Sequence, residues 1–233
     1  MTQPSRPPGP SADLRARVLA SIKEESSPTL PAVRRRRLLT VTLGFVPLVV
    51  LFQLVGGIRA GDPRPTGYVA LLVVTWTLLA AAASWGSLAR GTSMLGRPRA
   101  WLVGVAVATP LLLLAAASSG YVWWPATALA GCGPLGHLTC VMFGSLMGIG
   151  PLVAFVVARS GTDPVHPRVT GAAIGAAAGA WGSLAIGVHC TYTSPVHEAL
   201  GHVLPVLVLA GLGVWTGRWV SPRVHASKVR RGA

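Results

Sequence analysis

The side chains able to do redox or metal chemistry crowd into two short stretches of this chain. Cys132, His137 and Cys140 make up the first, and His189, Cys190, His197, Glu198 and His202 the second. Together the two stretches hold all three cysteines and four of the six histidines. Two cysteines close a disulfide where the compartment is oxidising, and a Cys140–Cys190 bridge would tie the two stretches together. Thiolates with imidazoles also suit a soft or borderline ion such as zinc or copper. The third reading is that these are inert groups at a membrane interface. Three cysteines leave at least one thiol unpaired in a monomer, which makes it a candidate redox or heavy-metal trigger. No CxxC pair is present.

Spacing within the second stretch narrows the chemistry. Glu198 and His202 are four apart and share a face of any helix that begins by then. His197 to His202 is one residue longer than the HExxH pattern of zinc proteases. A regular α-helix would turn the two imidazoles onto different faces, so that spacing argues against a protease.

Six apolar stretches must position these groups. They run roughly over 38–58, 68–89, 101–119, 140–158, 169–188 and 200–220, and five contain no charged residue. Each is about 20 residues, enough for a helix to cross about 30 Å of hydrocarbon. Arg218, near the end of the sixth, is placed to snorkel to the interface. The fold class expected is all-α: a polytopic membrane protein with a six-helix transmembrane bundle. The domains expected are a 1–37 segment, a 38–220 membrane domain and a 221–233 basic tail.

Basic residues set the orientation. With the N-terminus inside, the inner segments 1–37, 90–100, 159–168 and the tail from Arg218 hold 8, 3, 2 and 5 of the 20 Lys and Arg. The outer loops 59–67, 120–139 and 189–199 hold 2, 0 and 0. The excess of positive charge on cytoplasmic loops then predicts both termini inside and the Cys/His cluster outside. The net charge of +14 follows from topology and anionic lipid head groups, with no need for nucleic acid. No cleavable signal peptide is expected, because the first apolar run starts at Leu38 behind Arg34, Arg35, Arg36 and Arg37 with no small-residue cleavage site after it.

The stretches carry packing signals. Gly171, Gly175, Gly179, Ser183 and Gly187 form a row of small residues at i, i+4 in the fifth, a ridge for close helix approach within the bundle or for a homodimer. Gly144 and Gly148, then Gly213 and Gly217, offer the same in the fourth and sixth. Pro47, Pro110, Pro151 and Pro205 predict kinks. No Asp, Glu or Lys falls within these six stretches and Gln53 is the main polar group at depth, which argues against ion-coupled transport. The inner loops carry no phosphate-binding glycine loop, kinase signature or nuclease constellation, so no enzyme is expected.

The N-terminal segment reads as a docking element. Residues 1–10 are rich in Pro, Ser and Gly and are expected to be disordered. Ser11 suits an N-cap, with Asp13 in the first turn. Leu14, Val18 and Ile22 then make an apolar stripe widened by Leu19, with Arg15, Arg17, Lys23, Glu24 and Glu25 on the polar faces. Ser26, Ser27, Pro28 and Pro31 end it. A helix this short is marginal alone and predicts a covering surface, either a protein groove or the lipid interface.

From about Cys140 to Trp219 the chain resembles the negative regulator of sigma F family. The resemblance rests on Cys140 opening the fourth span, on the small-residue fifth span and on Ala185-Ile186-Gly187-Val188-His189-Cys190. Ser194-Pro195 and a sixth span rich in Leu and Gly follow. It implies a six-span bacterial inner-membrane anti-sigma factor with a short cytoplasmic N-terminus and cysteines in the second and third outer loops, matching Cys140 and Cys190. Thr191, Tyr192 and Thr193 stand where the family tends to carry acidic residues, and His197 and His202 where aromatics are more usual. The stretch from Leu14 to Glu25 is similar to the N-terminal segment of myxobacterial membrane anti-sigma proteins of the carotenoid-regulating CarR type. No HxxxCxxC zinc anti-sigma domain is present.

The function expected is therefore sequestration of an extracytoplasmic-function sigma factor, with Leu14, Arg15, Arg17, Val18, Leu19 and Ile22 at the contact. Cys140, Cys190 and Cys132 are the sensor or disulfide candidates. His137, His189, His197, Glu198 and His202 are the candidates for a zinc or copper site. A metal- or redox-handling membrane protein and a plain membrane scaffold are the competing readings.

Overall fold

A computed structural model describes residues 11–13, 16, 17, 20, 30–58, 64–89, 97–123, 133–160 and 165–217. Six helices account for nearly all of them: α1 Leu30–Leu54, α2 Thr66–Leu88, α3 Arg99–Trp123, α4 Pro134–Arg159, α5 Pro167–His189 and α6 Pro195–Thr216. No strand occurs among the described residues. Helices α2 to α6 are long and apolar enough to cross a membrane, and the apolar part of α1, Leu38–Leu54, has 17 residues, the lower end of the about 17–25 that a span needs.

Residues from Leu39 onward form one compact unit and those up to Leu38 another. Within the unit up to Leu38, Arg17 pairs with Asp13 at 2.9 Å, both side chains exposed. The docking candidates Leu14, Arg15, Val18, Leu19 and Ile22 lie outside the described residues.

The helical unit is organised around α5. Its apolar window is 83% buried, against 28–44% for the other four long helices. The small-residue ridge is the cause. A Cβ on Gly171 would collide with the Gly213 carbonyl, one on Gly175 with the Leu209 carbonyl, and one on Gly179 with the Val206 backbone. Antiparallel α5 and α6 therefore touch backbone to backbone, which only residues without a side chain permit. On its other side, Gly182 meets the backbone of Gly144 on α4. The ridge offered by the sequence as a homodimer face is thus covered by α6. Trp76 of α2 lies over Gly187, and Trp181 meets Phe45 of α1 edge to face at 5.0 Å.

The outward surface is apolar. Leu71, Val74 and Leu78 on α2, Val107 and Leu111 on α3, and Leu207 and Trp215 on α6 are all exposed. A continuous sheath of this kind suits hydrocarbon and would be a liability in water. Where α2 hands over to α3, Arg97 stacks on Trp85 and Trp101 at 5.5 and 5.1 Å. Amphipathic aromatics with a cation suit a membrane–water interface.

Candidate thiol–imidazole site

Three helix ends converge to build the site. Pro134 starts α4 after Gly133, and His137 and Cys140 follow one turn apart. Helix α5 ends at His189, and Cys190 is its extended C-cap residue, with its N–H on the Ile186 carbonyl at 2.7 Å. Helix α6 starts at Pro195, with the Ser194 hydroxyl accepting from the His197 N–H at 3.2 Å. That capped start lies five residues before the one expected at 200. It brings Glu198 inside the sixth helix and buries it to 2% exposure. The expectation of spans without acidic residues is corrected there: Ser194 and Pro195 together form a strong helix start.

A second correction concerns the two imidazoles. On an α-helix, residues five apart point about 140° away from each other. Residues Glu198–Val203 instead form a π-helical turn, in which the Leu204 N–H reaches the Ala199 carbonyl five residues back. Such a turn brings residues five apart nearly over one another. The His197 and His202 rings consequently meet at 5.0 Å, 84° apart in plane. The sequence cause is next door: Pro205 has no N–H for the preceding carbonyls, and the helix adjusts by widening.

The site is small and buried. The sulfurs of Cys140 and Cys190 are 3.8 Å apart, in contact but well beyond a covalent bond of about 2 Å. Cys190 Sγ lies 3.2 Å from His197 Nε2, and His197 Nδ1 lies 3.0 Å from His137 Nδ1. His202 Nδ1 and the Glu198 carboxylate pair at 2.5 Å, both buried. Ser183, the one polar member of the α5 ridge, donates to the His202 carbonyl. Gly201 gives the cluster room, since a Cβ there would press on the His197 ring and on Cys140 at 3.1 and 3.2 Å. Cys140, Cys190, His197 and His202 each offer one donor atom, all within 4.8 Å of one another. The Cys140 thiol and burial together push the Cys190 thiol above its ordinary value, with the two imidazoles opposing.

The remaining candidates separate. His137 meets the cluster at His197, with ring centroids 4.9 Å apart. Glu198 backs His202. His189 turns away, its Nδ1–H donating to the Gly57 carbonyl at 2.8 Å. The left-handed Gly56 and Gly57 that end α1 present that carbonyl. Cys132 lies outside the described residues. Beside the cluster a cavity of about 560 Å³ opens between α1, α4 and α5, lined by Leu51, Phe143, Ile186, Tyr192 and both thiol residues.

Arg64 was not anticipated. It is 4% exposed and donates to the Gly187 and Val188 carbonyls at 3.0 and 2.8 Å. A forked cation thus closes the C-terminal end of α5, where the helix dipole favours positive charge. A basic residue on a side otherwise nearly bare of them was the available signal. Arg64→Met should cost about 2–3 kcal/mol through two lost charge-assisted hydrogen bonds. Thermal unfolding in detergent measures it, and Arg64→Lys should recover only part, because an ammonium cannot fork.

A family model described as "Negative regulator of sigma F" matches residues 24–221. No curated protein and no solved structure matches the chain. The family match covers all six helices from Leu30 on and the whole thiol–imidazole cluster, and begins after the Leu14–Ile22 stripe.

Proposed function

We infer, from the premise that this chain belongs to the negative regulator of sigma F family, that it is a membrane-bound anti-sigma factor. It holds a sigma factor of the extracytoplasmic-function class at the bacterial inner membrane and releases it on a signal. A factor kept there cannot join RNA polymerase. The family match over residues 24–221 is the observation that carries the reading. Five helices of membrane-crossing length support the location. The 18 of 20 basic residues on one side of the apolar stretches support cytoplasmic termini. The family favours a regulatory rather than an enzymatic role.

The N-terminal stripe of Leu14, Val18, Leu19 and Ile22, with Arg15 and Arg17, is the proposed sigma contact. The thiol–imidazole cluster is the proposed receiver of the signal. Moving a two-state equilibrium from about 1:99 to 99:1 needs about 5.5 kcal/mol of differential binding. A disulfide or a ligated metal is of that order.

Affinity purification of the full chain from solubilised bacterial membranes tests the reading. A sigma factor should co-purify in near-stoichiometric amount, and its absence from the purified protein would refute the assignment. The double variant Cys140→Ser, Cys190→Ser should still insert and still hold the factor, while release under stimulus is lost. An unchanged response would remove the pair from signalling.

A further inference from the structure

We propose that Cys140, Cys190, His197 and His202 bind one metal ion of the d10 class, zinc(II) or copper(I), as a four-coordinate site. The proposal does not depend on the anti-sigma reading.

Distance is the first argument. Tetrahedral zinc with bonds of about 2.0–2.3 Å to nitrogen and sulfur places its donors about 3.3–3.8 Å apart. Here the two sulfurs are 3.8 Å apart and Cys190 Sγ is 3.2 Å from His197 Nε2. All four donor atoms fall within 4.8 Å of one another. A modest contraction closes the shell, and two thiolates with two imidazoles are a donor set that soft and borderline ions take.

Orientation is the second. His202 is 1% exposed, and its Nε2 has no hydrogen-bond partner among the described residues. A buried imidazole nitrogen normally finds one. Its other nitrogen faces the Glu198 carboxylate. With the ring proton on Nδ1, toward that carboxylate, the Nε2 lone pair would serve as the ligand, the carboxylate–histidine–metal arrangement. His197 is held in the same way, with Nδ1 against His137 and Nε2 toward Cys190. Four first ligands and two backing residues thus come from three separate helix ends.

Access is the third. The cavity between α1, α4 and α5 is lined by both Cys140 and Cys190, which gives an ion a path to the thiols without opening the bundle. Binding is not a redox step: each thiol that ligates releases its proton to water, and the ion keeps its charge.

The test uses the full chain, purified in detergent under reducing, oxygen-free conditions. Elemental analysis should find about one zinc or copper per chain after loading and desalting. Cobalt(II) loading should give a thiolate-to-cobalt charge-transfer band in the near ultraviolet. Competition with chromophoric chelators for zinc(II) and for copper(I) then tells which ion is held more tightly. Cys140→Ser or Cys190→Ser should weaken that band, and His202→Gln should lower affinity by more than about 100-fold. Glu198→Gln, which removes only the backing carboxylate, should cost about 10- to 100-fold. His189→Gln should leave affinity unchanged, because that imidazole is engaged with Gly57. Two results overturn the proposal. One is a wild-type chain that keeps no stoichiometric ion and shows no charge-transfer band. The other is an affinity that depends on His189 as strongly as on His202. A chain that captures a sigma factor yet binds no metal sinks this proposal alone, and one that binds metal without capturing any sigma factor sinks only the anti-sigma reading.

Discussion

Deletion of residues 1–30 is expected to abolish sigma-factor capture entirely while the remaining chain still inserts in the membrane. The two halves of that expectation rest on different observations. Capture is assigned to an apolar stripe, Leu14, Val18 and Ile22, that repeats every four residues among arginines and glutamates. Such a stripe is too short to be stable alone and gains its stability from whatever covers it. Retained insertion follows because residues from Leu39 onward form a compact unit of their own, and the four arginines at 34–37 remain to anchor the first helix. Co-purification of the factor with full-length and truncated protein from the same membranes makes the comparison. Capture by the truncated chain would move the contact to the loops or tail of the bundle. The finer variant Val18→Asp, Ile22→Asp should lose most capture by charging the stripe without shortening the chain.

Gly175→Val is expected to be among the most damaging single changes in the bundle. A Cβ at that position would overlap the Leu209 carbonyl and the Ala210 Cα. These are backbone atoms that no rotamer change can move, so α5 and α6 must separate along their contact. Overpacking ordinarily costs about 1–3 kcal/mol. A collision of two backbones in the most buried helix belongs at the top of that range, and failure to accumulate in the membrane is the expected phenotype. Gly211→Ala is the matched control. It sits on α6, and a Cβ there meets nothing within 4 Å, so the change should be neutral or mildly stabilising through helix propensity. Thermal unfolding of both variants in detergent decides the matter, and equal stability would mean that α5 and α6 do not pack through this ridge.

Much of this was legible in the residues alone, and what was not had a local reason. The apolar runs announced the helices, since a helix in hydrocarbon must satisfy its own backbone and can do so only with an apolar exterior. The i, i+4 row from Gly171 to Gly187 announced close packing, but not whether the second surface was α6 or another copy; the backbone approach of Gly213 and Leu209 settled that. The members of the reactive cluster were readable from composition. The meeting of His197 with His202 was not. Regular α-helical turning separates His197 from His202, and only the π-turn ahead of Pro205, with the Gly201 gap, superposes them. Ser194 drew Glu198 into the helix, Gly57 drew His189 out of the site, and Arg64 reached the end of α5 from more than 120 residues away in sequence. Helix periodicity is a property of neighbours along the chain and can be read from them. Donor convergence depends on where three helix ends meet, which is determined only when the ridge of α5 has pulled its partners into backbone contact.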